Sequence, residues 1–183
     1  MPPCTLIPVE HWLAPQIELC DADERLSFHI QDALRYHGYD AVGGVVLGFR
    51  LLQRAIAQLS PQSPPQRRAF EVLTAFPGLG FRDCMELIIR CVSENRFQLD
   101  TGIRNPQVQE GVQGRLHFEF AYHGQRVVLS SMAGALSEEF VALGRASKQP
   151  GFSQQQRQAW RQAKFELANA LLAARAEDVI RVL

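Results

Sequence analysis

Tyr36-His37-Gly38-Tyr39-Asp40-Ala41-Val42-Gly43-Gly44-Val45-Val46-Leu47-Gly48-Phe49-Arg50 decides how this chain is read, because a polar segment runs through two adjacent glycines into an apolar helix. Glycine in a helix interior costs about 1 kcal/mol relative to alanine, so Gly44 and Gly48, on one face, mark a close approach of another backbone or of a ligand. Val45, Leu47, Leu51, Leu52, Ala55 and Ile56 make residues 44–59 apolar on most sides, the pattern of a central buried helix. Upstream, Phe28 or Ile30, Ala33, Leu34 and His37 fall at helical spacing and predict a helix over 24–36, capped by Asp21 or Asp23 and ending near His37. Downstream, Ser60-Pro61-Gln62-Ser63-Pro64-Pro65-Gln66 breaks the helix, since proline lacks the donor and clashes with the preceding turn. That segment has the length of a loop, and the chain reads as a single domain over 1–183.

Residues 69–76 alternate Phe70, Val72, Thr74 and Phe76 against Ala69, Glu71, Leu73 and Ala75, a strand pattern closed by Pro77-Gly78, with Gly80 opening the next turn. Cys84, Leu87, Ile88 and Cys91 then lie on one face of a short helix over 83–92, with Asp83 as its cap and both cysteines pointing inward. Residues 96–101 alternate again. After the turn-rich 102–114, two strands over 115–122 and 125–132 join through His123-Gly124, with Leu116, Phe118, Phe120 and Tyr122 on the buried face. A helix over 133–145 and a longer one opening at Ser153 follow. Gln156 completes a capping box for the second, and Trp160, Ala163, Leu167, Leu171 and Ala174 form its apolar stripe. The order predicts an α+β domain in which two early helices pack on a small, mainly antiparallel sheet.

Lysine plus arginine balances aspartate plus glutamate at 19 against 19, so no net field draws the protein to nucleic acid or to an anionic membrane. No apolar run approaches the ~18 residues of a membrane span, and the prolines, Glu10 and His11 interrupt residues 1–13, so the expected setting is cytoplasmic. Cys4, Cys20, Cys84 and Cys91 contain no CxxC pair and read as reduced thiols. Gly78-Leu79-Gly80 lacks the rest of a dinucleotide fingerprint, and no phosphate-loop motif occurs. Arg67-Arg68 and the set Arg157, Arg161 and Lys164 read as solvated faces. His117 and Glu119 read as the outward side of a half-covered sheet, and spacing gives His11, His29 and His123 no partner.

His37-Gly38 followed by Gly43-Gly44-Val45-Val46-Leu47-Gly48-Phe49-Arg50 resembles the signature of the FmdE-like family, named after a component of formylmethanofuran dehydrogenase, in which His-Gly-His and Cys-Pro-Gly lead into a glycine-bearing helix. The following strand, the helix start at Asp83-Cys84 and the later strand pair match the family's order. The likeness spans roughly 28–132, leaving a carboxy-terminal helical part over 133–183. It implies an α+β fold, a homodimer and a metal site. The departures weaken the last of these: Tyr39 replaces the second histidine, Ala41-Val42 replace the Cys-Pro pair, and Ser93-Glu94-Asn95 stand where a further cysteine and glycine are expected. By resemblance only His37 and Cys84 remain as matched metal positions. The family name denotes a relationship, not the dehydrogenase activity.

Zinc needs three or four ligands, so His37 and Cys84 would require Asp40, Asp83 or another histidine. Against that, Cys84 lies on an apolar stripe, and His37 is placed to cap a helix end. The glycine face also has two readings. In one, small residues let the core helix pack tightly on the sheet or on a second subunit. In the other, Gly38, Gly43 and Gly44 admit a small polar or anionic ligand, oriented by His37, Tyr39 and Asp40. Three functions follow: a small-ligand-binding or metal-binding protein of this family, a non-catalytic interaction module that has lost the metal, and a cysteine-dependent enzyme built on Cys84 with His37.

Overall fold

The computed structural model describes residues 16–183; Cys4, His11 and the reading of residues 1–13 lie outside them. Among the described residues two strands come first. β1 (Gln16–Asp21) pairs antiparallel with β2 (Glu24–His29), from Gln16 opposite His29 to Asp21 opposite Glu24. The helix expected over 24–36 therefore begins only at α1 (Ile30–His37). Leu26 and Phe28 alternate with Arg25 and Ser27 at the two-residue period of a strand, and a partner strand supplied by 16–21 satisfies their backbone groups. The cap also differs. The His29 amide donates to Asp32 Oδ2 at 2.8 Å, while Asp21 is held by Arg67 and Arg68.

α1 stops at Gly38, whose φ of 86° belongs to the left-handed region that favours glycine and whose amide returns to the Leu34 carbonyl. The apolar segment forms α2 (Val42–Leu59), two residues longer at its start than its periodicity predicts. Val45, Val46, Phe49, Leu51, Leu52 and Ala55 are fully buried, because α2 is surrounded by the other helices and by the sheet. After a short 3-10 turn come β3 (Phe70–Thr74) and α3 (Leu79–Ile89). Helix α3 starts at the glycine-rich segment and not at Asp83, which lies inside it; it ends at Arg90 in a left-handed conformation, with buried Cys91 just beyond.

β4 (Phe97–Leu99), β5 (Phe118–Tyr122), β6 (Gln125–Ser131) and β7 (Ile180–Val182) complete a sheet of order β4-β3-β5-β6-β7. Among the described strand pairs of this sheet only β3–β4 is parallel, so the sheet is mainly antiparallel and the fold is α+β. His123 and Gly124 both have positive φ, the tight β5–β6 turn whose twist matches its strands. Phe70, Val72, Phe118, Phe120 and Leu129 pack inward, whereas Tyr122 is half-buried. His117 is a correction: it is buried, not outward, because the chain before β5 is already covered and Asn105 lies beside its ring.

α4 (Glu138–Ala146), α5 (Gln154–Ala173) and α6 (Ala176–Val179) finish the chain's helices. The first starts at the Ser137 cap, four residues beyond the residue-133 start expected for it, and is flanked by left-handed Gly134 and Gly151. The Ser153/Gln156 capping box is present as the sequence predicts. Arg50, in the middle of α2, is buried and donates to the Leu171 carbonyl at 3.0 Å and the Leu172 carbonyl at 2.8 Å, closing the end of α5. Among the described residues, no helix is long and apolar enough to cross a membrane.

Candidate functional site

Gly44 and Gly48 of α2 meet α3. A Cβ on Gly80 would stand 2.8 Å from the Ala41 carbonyl oxygen and 2.9 Å from the Val45 nitrogen, so the two backbones touch there. One on Gly48 would meet the Phe81 ring at 3.2 Å and the Cys84 Cβ at 3.3 Å. Gly44 and Gly48 thus serve a crossing with α3, while Gly43 lies against α5, where a Cβ would meet Leu167 at 3.1 Å; this is the packing reading with two helices of the same chain as partners.

That crossing fixes Cys84. It is fully buried, and burial pushes its thiol well above the ordinary thiol range, with Cys91 and Asp83 adding to the effect. A nucleophilic thiol needs the opposite shift. His37, at the end of α1, turns its Nδ1 to Asp83 Oδ2 at 2.7 Å, with only a tenth of its side chain exposed. Among the described residues no three His, Cys, Asp or Glu side chains gather into a group that could hold a metal. His37 and Asp83 tie α1 to α3, while Cys84 belongs to the α2–α3 contact.

The segment after the hinge opens on a different feature. Asp40, Gly43 and Gly44 line a cavity of about 170 Å³ bounded by the starts of α2 and α3, residues 111–113, α4 and α5. Leu47, Phe76, Leu116, Leu136, Phe140 and Leu167 make its walls apolar. Trp160 and Lys164 stand at its rim and also line a wider groove of about 860 Å³, where Tyr39, Asp40, Arg157 and Arg161 join them. His37 and Gly38 line neither space. They set the hinge that places Tyr39 and Asp40.

Each part of this cleft has a local cause. Among the described residues no side chain caps the first turn of α2 or of α3, and the opening residues of both helices line the cavity's glycine-lined side. Across from them, Gly144 of α4 makes room for its neighbours: a Cβ there would lie 2.5 Å from Val112 and 2.8 Å from the Trp160 ring. The Phe140 and Trp160 rings are 4.8 Å apart between centroids. Lys164 donates to the Asp40 carbonyl and lies 5.6 Å from the Trp160 ring centroid. Desolvation holds its ammonium below the usual lysine pKa; Asp40 opposes that shift and Arg161 adds to it.

Sequence reasoning finds Tyr39, Asp40, Gly43 and Gly44 and misses Trp160, Lys164, Arg157 and Arg161 as lining residues. The available signal is their spacing: Arg157, Trp160, Arg161 and Lys164 fall at i, i+3, i+4 and i+7, one face of α5 that mixes cations with an aromatic ring. In comparisons with known proteins, no family model matches the chain, and no curated protein matches its sequence.

Proposed function

We propose that this protein binds a small, largely apolar molecule in the cleft between the starts of α2 and α3 and the faces of α4 and α5. The observation that carries this reading is a cavity of about 170 Å³ with apolar walls and a rim made of Trp160 and Lys164. Ligand sites combine apolar walls with a few placed polar groups in this way. The volume corresponds to roughly six water-sized groups at about 30 Å³ each, the size of a short alkyl chain or a single ring. The hinge at His37 and Gly38 serves the site by placing Asp40 and the first turn of α2. A divergent relative of the FmdE-like family that kept the histidine–glycine hinge without its metal set fits this proposal, as do the homodimer and the cytoplasmic setting; sedimentation equilibrium tests the homodimer.

The chain has two tryptophans, so a Trp12→Phe variant leaves Trp160 as the only indole. Titration of that variant with 1-octanol and with octyl phosphate should give a saturable shift in emission for at least one of them, weakened at least tenfold by Phe140→Ala. No saturable response to either compound would overturn the proposal.

A further inference from the structure

The outer groove has a charge that the chain as a whole does not. Arg157, Arg161 and Lys164 line it against a single carboxylate among the described residues, Asp40, in a protein whose charges balance at 19 against 19. Several cations elsewhere pair with carboxylates: Arg67 and Arg68 hold Asp21, Arg96 holds Glu94, and Arg126 holds Glu119. In the groove, none of the three cations meets a carboxylate among the described residues. Arg157 donates to the Phe152 carbonyl and Lys164 to that of Asp40, both backbone acceptors. Lys148 adds a fourth positive charge at the inner cavity. Like charges at i, i+3 and i+4 on one helix repel, so α5 carries an arrangement that a bound anion would relieve. The groove and the apolar cavity share Asp40, Ser147, Trp160 and Lys164, so one molecule can occupy both.

We propose that the guest is a free amphipathic anion, its phosphate or carboxylate head held by Lys164, Arg161 and Arg157 and its short apolar part seated in the inner cavity. The inference rests on the binding reading above and adds the chemistry of the head group. A guanidinium pairs with phosphate or carboxylate through two parallel hydrogen bonds, and an ammonium adds a point charge. Trp160, shared by both spaces, is where head and tail of the guest would meet.

The test uses the full chain with Trp12→Phe, following Trp160 emission at constant ionic strength. The probes are 1-octanol, octanoate, octyl phosphate and inorganic phosphate. Octyl phosphate or octanoate should bind at least tenfold tighter than 1-octanol, inorganic phosphate should bind far more weakly than octyl phosphate, and added salt should weaken only the anions. Which anion binds tighter identifies the head group. Exposed Arg161→Gln and, separately, exposed Arg157→Gln, neither of which lines the inner cavity, should reduce the preference over 1-octanol and leave the 1-octanol affinity in place, with circular dichroism confirming the fold. Equal affinity for the anions and 1-octanol overturns the head-group inference and leaves the cleft reading standing. So does inorganic phosphate binding as tightly as octyl phosphate, or attachment to phosphatidic acid vesicles without binding of monomeric octyl phosphate. Failure of every amphiphile to bind overturns both readings.

Discussion

His37 Nδ1 and Asp83 Oδ2 lie 2.7 Å apart across 46 residues of sequence, joining the last residue of α1 to the middle of α3. The contact engages the histidine that the sequence resemblance would assign to a metal. The partly exposed carboxylate limits what the pair contributes. A double-mutant cycle with His37→Ala and Asp83→Ala should give a coupling of about 0.5–1 kcal/mol in urea unfolding. Elemental analysis of protein purified without chelator or histidine tag should find no stoichiometric zinc; one equivalent lost on His37→Ala would support the metal reading instead.

Gly80 and Gly44 should respond to alanine in opposite senses. At Gly80 the new methyl would strike backbone atoms that cannot rotate away, so Gly80→Ala should destabilise by about 1–3 kcal/mol. At Gly44 the nearest atoms would be at 3.7 Å, an ordinary contact, so relief of glycine's backbone entropy should stabilise by up to about 1 kcal/mol. Paired thermal melts would show it, and a shift of the same sign in both would contradict the backbone-contact account.

Replacing Arg50 tests how α5 is held. Its guanidinium reaches Leu171 and Leu172 carbonyls and Gln53 Oε1 from a buried position. Arg50→Met should therefore cost about 2–4 kcal/mol, leaving acceptors unpaired at the end of α5, and Arg50→Lys should recover only part of it. Because α5 carries Trp160 and Lys164, the loss should be accompanied by weaker binding in the cleft, measurable by Trp160 emission.

Acid should weaken the fold in two steps. Desolvation holds the His117 imidazole below its ordinary pKa, outweighing the pull of Glu119. Between the folded value and about 6.5 the unfolded chain binds the extra proton, so stability falls as pH drops below about 6.5 and is unaffected by this group above it. For Glu86, burial works against the charge, but hydrogen bonds from Ser93 and the Val92 amide outweigh it and hold the pKa below the usual range. Its contribution is complete above about 4.5 and disappears as pH falls through the folded value. Urea midpoints from pH 8 to 4 should show the first decline reduced in His117→Gln.

Thiol chemistry separates the cysteines by burial. Burial pushes Cys91 up to about 12, with Glu86 and Glu94 adding to the effect and Arg96 opposing it. Cys84, raised further, is completely enclosed. In a Cys4→Ser background, half-buried Cys20 should react with an aromatic disulfide reagent at pH 8 while Cys84 and Cys91 react only after unfolding. Rapid labelling of Cys84 in the native protein would revive the cysteine-dependent enzyme.

What the sequence discloses follows the range of the interactions involved. α2 and the β5–β6 hairpin are legible because apolar periodicity and His123-Gly124 are local signals. β2 is not, because residues 24–29 become a strand only through 16–21, and the spacing of Phe28, Ala33 and Leu34 imitates a helix across the junction. The start of α3 is hidden by Gly78 and Gly80, which read as a turn although Gly80 is needed where the helix meets the Ala41 carbonyl. β7 is three residues long and is defined by its pairing with β6. In the cleft, Asp40, Gly43 and Gly44 are foreshadowed by the hinge; Arg157, Arg161 and Lys164 look like any solvated helix face until α5 is laid across α2.

The walls of the cleft differ in how they can yield. On the α2–α3 side the contact at Gly80 is main chain on main chain, without side chains that could change rotamer to make space. On the other side, α4 leans on the side chains of Val112 and Trp160 and is flanked by Gly134 and Gly151, whose left-handed φ values set the turns on either side of it. Under the proposed reading, the α2–α3 wall would be a door frame of fixed width, and any allowance for guests of different girth would fall to the side chains that line the α4 wall.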